Sequence, residues 1–161
     1  MIFVTVGTQE PFDRLVRVAD EIAKNIDESV LIQTPKTNYQ IQNMEVVDFL
    51  APEEYERIFK EARLIISHAG MGTIISALTL DKPLIIIPRI ASLGEHRNEH
   101  QLATAKKMRE LEYVYVAENE VELESLVSKL LTNDTIMPLH PKIGHYASNG
   151  LISSLSEFIK K

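Results

Sequence analysis

Short apolar runs alternate with amphipathic stretches along this chain. The apolar runs predict six strands, at residues 2–6, 30–33, 45–48, 64–67, 84–88 and 113–116. The third run is the weakest of the six. The fourth and fifth are apolar at consecutive positions, which is typical of strands that are buried on both faces of a sheet.

Residues at helical spacing fill the stretches between these runs. Two apolar faces stand out, one formed by Phe12, Leu15, Val16, Ala19, Ile22 and Ala23 and the other, after Pro52, by Tyr55, Ile58, Phe59 and Ala62. Residues 69–80 are almost all apolar or small, so we expect a helix there that is buried on both sides. Further helices are predicted over 98–111, after Asn119 with its capping partner Glu122, and over 151–159, which follows an irregular connection at 132–149.

This alternation predicts an α/β fold, a doubly wound and mostly parallel sheet with helices on both faces. The length of 161 residues predicts a single domain over 1–161. Ligands of such sheets bind beyond the carboxyl ends of the strands. The residues that follow each strand are therefore the first candidates for a functional site.

Composition argues against several classes of function. The formal net charge is −6, Lys and Arg are scattered and only 6% of residues are aromatic, so we predict no nucleic-acid binding. There is no cysteine, which excludes disulfides, a thiolate nucleophile and Cys-bound zinc. The first apolar run is too short for a signal peptide, and no stretch approaches the roughly 20 apolar residues that span a bilayer. We therefore expect a cytoplasmic location.

A glycine-containing turn follows the first predicted strand. Gly7 lets backbone N–H groups approach a ligand, and the side chains of Thr8 and Gln9 can donate to a phosphate or a sugar. A plain turn between strand and helix is the alternative.

A second such turn follows the fourth predicted strand. Two glycines there leave the N-terminus of the next helix open to an anion, and a histidine can stabilise a leaving diphosphate. The candidate residues are His68, Gly70, Met71, Gly72 and Thr73. The alternative for the histidine is a hydrogen-bonded side chain at a strand end.

The polar loop after the fifth strand supplies the remaining candidates, Arg89, Glu95, His96, Asn98, His100 and Gln101. We interpret it as a polar lip that contacts a ligand or caps the next helix, with a solvated loop as the alternative. H-x-x-E-H from His96 to His100 also matches a zinc-protease motif, which needs a helical scaffold and a third ligand. The chain has no D-x-D pair to hold a metal–diphosphate complex. We predict neither a metal nor a cofactor.

Together these residues resemble the nucleotide-sugar-binding, C-terminal half of GT-B glycosyltransferases, the family 28 C-terminal domain. Plant UDP-sugar transferases carry W-x-P-Q, H-C-G-W-N-S-x-x-E, two prolines and D-Q, in that order. Leu50 falls at the Trp and His68 at the His, with unbroken spacing between them. The other matches are Pro52, Pro83, Pro88 and the pair His100-Gln101, which follows a longer loop.

The whole chain is similar to a smaller group, the Alg13/PssE-type subunits. V-T-V-G-T near the N-terminus, S-H-A-G-M-G-T in the middle and N-E-H-Q at 98–101 carry this resemblance. It implies the donor-binding subunit of a metal-independent, inverting UDP-sugar glycosyltransferase. Such an enzyme transfers a hexose or N-acetylhexosamine to a lipid-linked acceptor in polysaccharide or glycan synthesis, exopolysaccharide included.

The same resemblance implies a partner. In this group the acceptor half is a separate membrane-anchored subunit of the Alg14/PssD type. It would form a heterodimer with this chain, recruit it to the cytoplasmic face of the membrane and supply the catalytic base. The alternative is a non-catalytic nucleotide-binding or regulatory module of the same fold.

The resemblance also implies roles for individual residues. Phe49 and Leu50 would bind uracil through their backbone, and Gln101 with His100 would meet the donor sugar. The diphosphate would be surrounded by His68, Gly70, Met71, Gly72 and Thr73, and the cleft facing the partner would be lined by Gly7, Thr8 and Gln9. Two positions depart from the pattern. Leu50 replaces a stacking Trp, so the base would rest on an aliphatic wall, and Ser76 replaces a Glu that holds the ribose hydroxyls.

Overall fold

Six parallel strands form one sheet in the computed structural model, which describes residues 1–140 and Ser153. In chain order the strands are β1 (Ile2–Thr5), β2 (Val30–Gln33), β3 (Glu45–Val47), β4 (Leu64–His68), β5 (Leu84–Ile87) and β6 (Tyr115–Val116). They lie in the order β3-β2-β1-β4-β5-β6. All six predicted strands are confirmed, and β6 begins two residues later than predicted.

Five α-helices cover the two faces of the sheet: α1 (Asp13–Lys24), α2 (Pro52–Glu61), α3 (Met71–Leu80), α4 (His100–Leu111) and α5 (Glu120–Leu131). Apolar residues of α1 and α5 pack on one face, and those of α2, α3 and α4 pack on the other. A short 3₁₀ helix, Ala91–Leu93, lies between β5 and α4. The predicted doubly wound α/β fold is therefore confirmed.

Helix ends follow the sequence closely. The side chain of Asn119 accepts a hydrogen bond of 2.9 Å from the backbone N–H of Glu122, which confirms the predicted cap of α5. Helix α4 begins at His100, two residues later than predicted, and the Asn98 side chain accepts a bond of 3.0 Å from the His100 N–H. Residues 132–140 form the predicted irregular connection, whereas residues 141–149 and the predicted helix over 151–159 lie outside the described residues.

The order of the strands creates a crevice at one edge of the sheet. From β1 the chain moves outward through β2 and β3, then returns to place β4 on the other side of β1. The connections after β1 and β4 therefore leave in opposite directions, and ligands of open α/β sheets bind at such a switch point. Within residues 1–140, none of the helices combines the length and apolar character needed to cross a bilayer.

Helix α3 differs from its prediction in one respect. Its inner face is buried, at Thr73, Ile74, Ala77 and Leu78, but its outer face is only partly covered. Four residues of that outer face, Ile75, Ser76, Thr79 and Leu80, line a cavity. The prediction of burial on both sides is wrong, because the uniform apolar character of this helix serves a cavity as well as the core.

Candidate functional site

Two adjoining cavities open at the carboxyl edge of the sheet. The first, which we call the polar cavity, has a volume of about 320 Å³ and is lined by Gly7, Thr8, Gln9, Glu10, His68, Gly70, Gly72, Thr73, Arg89, His96, Arg97 and Gln101. The second, the apolar cavity, has about 660 Å³ and includes Thr5, Gln33, Phe49, Leu50, Tyr55, Phe59, Ile75 and Ser76. Gly7, Thr8, Gly72 and Thr73 line both, so one extended ligand can occupy the two together.

His68 ends β4 and stands at the centre of the polar cavity. Its Nδ1 lies 3.0 Å from the side-chain nitrogen of Gln101 in the first turn of α4. A Cβ atom added to Gly7 would lie 2.9 Å from Nε2 of the ring, and one added to Gly70 would lie 2.7 Å from it. Both glycines are therefore needed to leave room for the imidazole, which is a requirement separate from the approach of a ligand.

The imidazole of His68 is neutral at physiological pH. Burial, aided by the charges of Arg89 and His96, lowers its pKa to about 4, whereas the hydrogen bond with Gln101 acts in the opposite direction. A neutral ring keeps one N–H, so His68 can donate a hydrogen bond to a phosphate oxygen without carrying a charge.

Arg89 is a structural residue of the polar cavity. Its guanidinium donates to the backbone carbonyls of Pro11 at 2.7 Å and Glu10 at 2.9 Å, and also to that of Val6. The guanidinium carbon stands 4.8 Å from the centre of the Phe12 ring. Arg89 is buried, and these hydrogen bonds hold the turn after β1 against the end of β5. Its charge lies at the wall of the polar cavity.

Glu95, which the sequence predicts as a binding residue, lines neither cavity. Its two carboxylate oxygens each accept a bond of 2.9 Å from the guanidinium of Arg14 in α1, and one also accepts from the N–H of Ile90. This partly buried ion pair fixes the loop after β5 to the first helix. The Glu95 carboxylate is thereby engaged within the protein.

The zinc arrangement considered for His96 and His100 does not form. His96 lies in the loop before α4, whereas His100 is the first residue of that helix, so the two imidazoles do not share a helical face. In the part of the chain that the structure describes, no three His, Cys, Asp or Glu side chains are grouped to hold a metal ion. His96 instead lines the polar cavity beside the exposed Arg97.

The apolar cavity lies between α2 and the outer face of α3. Leu50 is only 8% exposed and forms part of the wall, whereas the Phe49 ring is 69% exposed at the cavity. Tyr55 packs its ring against Phe3 at 5.7 Å between centroids. Burial raises the pKa of the Tyr55 hydroxyl, and the hydroxyls of Thr73 and Thr5 act in the opposite direction. The cavity therefore has an apolar wall, an exposed aromatic ring and a small polar floor.

Comparison with known proteins places this geometry in a family. The glycosyltransferase family 28 C-terminal domain matches residues 1–142. The chain belongs to this family. It is 26% identical over 136 residues, which cover 84% of this chain and 65% of the relative, to the UDP-N-acetylglucosamine transferase subunit ALG13 of Eremothecium gossypii. The predicted resemblance to Alg13-type subunits is confirmed.

A longer relative of this family 28 domain is a bacterial enzyme. The chain is 26% identical over 155 residues to the UDP-N-acetylglucosamine–N-acetylmuramyl-(pentapeptide) pyrophosphoryl-undecaprenol N-acetylglucosamine transferase of Bacteroides fragilis, covering 89% of this chain and 40% of that enzyme. An NMR solution structure of ALG13 superposes with a TM-score of 0.64 at 23% identity, over 99% of this chain and 96% of that one. The chain thus spans less than two thirds of the length of both sequence relatives.

Most of the residues predicted for the site come together in the structure of the family 28 domain. Ten of them line the polar cavity: Gly7, Thr8, Gln9, His68, Gly70, Gly72, Thr73, Arg89, His96 and Gln101. Phe49, Leu50 and Ser76 line the apolar cavity. Four predicted residues line neither: Met71, whose side chain packs against the core, and Glu95, Asn98 and His100 in the loop and at the start of α4.

Several lining residues were not predicted. Glu10 and Arg97 border the polar cavity, and Arg97 is the only Lys or Arg within the sequence segment 95–101. Thr5 and Gln33 end the otherwise apolar strands β1 and β2, and a polar residue at the carboxyl end of a buried strand is itself a sign of a site. Tyr55 fits the apolar face of α2, so its sequence context indicated only packing.

Proposed function

We propose that this chain is the donor-binding subunit of a UDP-N-acetylhexosamine transferase. The observation that carries the proposal is the junction of the two cavities. A polar cavity with cationic residues and a helix N-terminus suits a diphosphate, and the adjoining apolar cavity with its aromatic ring suits a nucleoside. Both sequence relatives have names that include UDP-N-acetylglucosamine and transferase, and these names support this donor.

The phosphate groups of the donor sit, in this proposal, at the N-terminus of α3. Gly72 offers open space there, since a Cβ at this position would meet no atom within 4 Å. His68 donates a hydrogen bond to a phosphate oxygen, and the charges of Arg89 and Arg97 favour an anion. When the bond between the anomeric carbon and the diphosphate oxygen breaks, these groups stabilise the negative charge that develops on departing UDP.

The acceptor half comes from a second chain in this proposal. The attacking hydroxyl and the base that takes its proton are supplied by a membrane-anchored subunit of the Alg14/PssD type, which binds a lipid-linked acceptor and recruits this chain to the cytoplasmic face of the membrane. The mouth formed by Thr8, Gln9 and Glu10 is exposed and is the side of the site available to that partner. Exopolysaccharide or another lipid-linked glycan is the expected product.

Two measurements test this function. Titration of the isolated chain with UDP, followed by amide-resolved NMR with AMP as the control, should shift Gly70–Thr73 and Phe49–Leu50 selectively with UDP. Transfer of labelled sugar from UDP-N-acetylglucosamine to lipid should then require membranes that contain the co-expressed partner. Turnover by the isolated chain contradicts the two-subunit arrangement. UDP binding without transfer in the presence of the partner favours the regulatory alternative.

A further inference from the structure

Gln101 makes three hydrogen bonds that together define the state of His68. The Gln101 side chain is buried in the first turn of α4. Its oxygen accepts from the backbone N–H of Ala69 at 3.2 Å and from that of Arg89 at 3.0 Å. Because backbone N–H groups only donate, these two bonds establish which end of the amide is the oxygen. The Gln101 amide orientation therefore follows from its surroundings.

The other end of the Gln101 amide determines the tautomer of the imidazole. Its nitrogen lies 3.0 Å from Nδ1 of His68, and an amide nitrogen can only donate. Nδ1 must accept, so the proton of the neutral ring resides on Nε2.

Nε2 is the ring atom available to a ligand. It lies beside Gly7 and Gly70, which line the polar cavity together with His68 itself. Among residues 1–140, Nε2 has no hydrogen-bond partner. The Gln101 amide does not reach it, because its oxygen is bonded to the N–H groups of Ala69 and Arg89 and its nitrogen to Nδ1. A donor held in place with no protein acceptor is suited to bind an oxygen of an incoming ligand.

We infer that Gln101 is a positioning residue, which holds His68 as the neutral Nε2–H tautomer and directs that N–H toward an oxygen of the donor diphosphate. The identity of the ligand rests on the proposed function, whereas the tautomer does not. The N–H donates a hydrogen bond and keeps its proton, and the electron pair of the broken sugar–oxygen bond stays on UDP. Gln101 thereby acts on the diphosphate through His68, in place of the sugar contact expected from sequence.

The first test examines the ring in the absence of any ligand. Nitrogen-15 spectra of the five histidines of the full chain, with His68 assigned from the signals lost in His68→Gln, report which ring nitrogen carries the proton. We expect the Nε2–H pattern for His68, unchanged between pH 7.5 and pH 5.5. An Nδ1–H pattern, or titration of His68 within that range, overturns the inference. Because no UDP is present, this result is independent of the proposed function.

The second test replaces the amide nitrogen of Gln101, which donates a hydrogen bond, by a carboxylate oxygen, which accepts one and has nearly the same shape. In Gln101→Glu the carboxylate still accepts from the N–H groups of Ala69 and Arg89, but it now draws the His68 proton to Nδ1 and leaves Nε2 as a bare acceptor. UDP affinity at pH 8 should fall by about 10- to 100-fold, since a hydrogen bond to a charged group is lost. Gln9→Glu adds the same charge to the rim of the polar cavity without touching His68, and serves as the matched control.

The pH dependence separates positioning from a general structural effect. The carboxylate in Gln101→Glu raises the pKa of His68, and below that pKa the ring carries both protons and regains its Nε2–H. The charged and titratable groups that share the cavity are Glu10, Arg89, His96 and Arg97, and they are the same in both proteins, so the ratio of variant to wild-type affinity isolates His68. The ratio should return toward one as the pH falls from 8 to 5.5, and it should stay constant in Gln9→Glu. A constant ratio in Gln101→Glu overturns the inference.

Discussion

The polar and apolar cavities share four lining residues but are built in different ways. In the polar cavity, His68 and Arg89 are held by hydrogen bonds to other parts of the protein before any ligand arrives. In the apolar cavity, the wall is packed side chain, and its most prominent group, the Phe49 ring, is largely exposed. In the proposed complex, the polar end orients UDP through pre-formed hydrogen-bond donors, whereas the apolar end contributes mainly by removing surface from water.

A negative charge placed at the polar end should have the largest effect on binding. Gly72→Asp puts a carboxylate at the N-terminus of α3, in space that is open in the structure. Stability should be nearly unchanged, while UDP affinity should fall by about 100-fold or more, because facing like charges cost several kcal/mol. Calorimetric titration measures the loss, with the uncharged Gly72→Asn as control. Equal affinities in the two variants would show that phosphate does not bind here.

Acid should destabilise the folded protein through His68 at the polar end. The pKa of His68 is about 4 in the folded protein and about 6.5 when unfolded, so the unfolded chain binds the extra proton first. The contribution of neutral His68 to the free energy of unfolding is fully present above pH 6.5. It is lost as the pH falls toward 4, and the loss amounts to up to about 3 kcal/mol. Urea denaturation at pH 7.5, 6, 5 and 4.5 measures this, and His68→Gln should show a shallower dependence. Parallel pH profiles for the two proteins would contradict the buried neutral ring.

Gly70→Ala should damage the polar end through packing alone. Its Cβ would approach Nε2 of His68 to 2.7 Å, so the ring or the turn must move. We expect a loss of about 1–3 kcal/mol in unfolding free energy, which is usual for an overpacked site, together with a shift of the His68 ring signals in NMR. Gly72→Ala is the matched control, because its Cβ meets nothing. If both alanine variants are equally stable, the glycine at 70 is not required by the imidazole.

The sequence predicts the parts of this molecule that depend on local patterns. Consecutive apolar residues predict β4 and β5. His68 ends β4, and the two glycines at 70 and 72 follow it at the carboxyl edge, where α/β sheets bind ligands. Contacts between distant parts of the chain are not encoded in such patterns. Arg14 and Glu95 are 81 residues apart, and Gln101 and His68 are 33 apart. Their partnership depends on how α1 and α4 approach the strands, which no periodicity records.

The Phe49 ring offers the last and smallest test, at the apolar end. Leu50 forms part of the apolar wall of this cavity, and the largely exposed Phe49 ring lines the same cavity. An exposed ring beside a nucleoside site can stack on the base, and aromatic pairs contribute about 0.5–1.5 kcal/mol beyond burial. Phe49→Ala should therefore weaken UDP and uridine by similar factors of roughly 2- to 10-fold, with Phe49→Leu as the control that keeps apolar area. Binding of inorganic pyrophosphate should stay unchanged, because we propose the polar cavity as its site. Equal weakening of pyrophosphate would mean that the two cavities do not divide the ligand as their construction indicates.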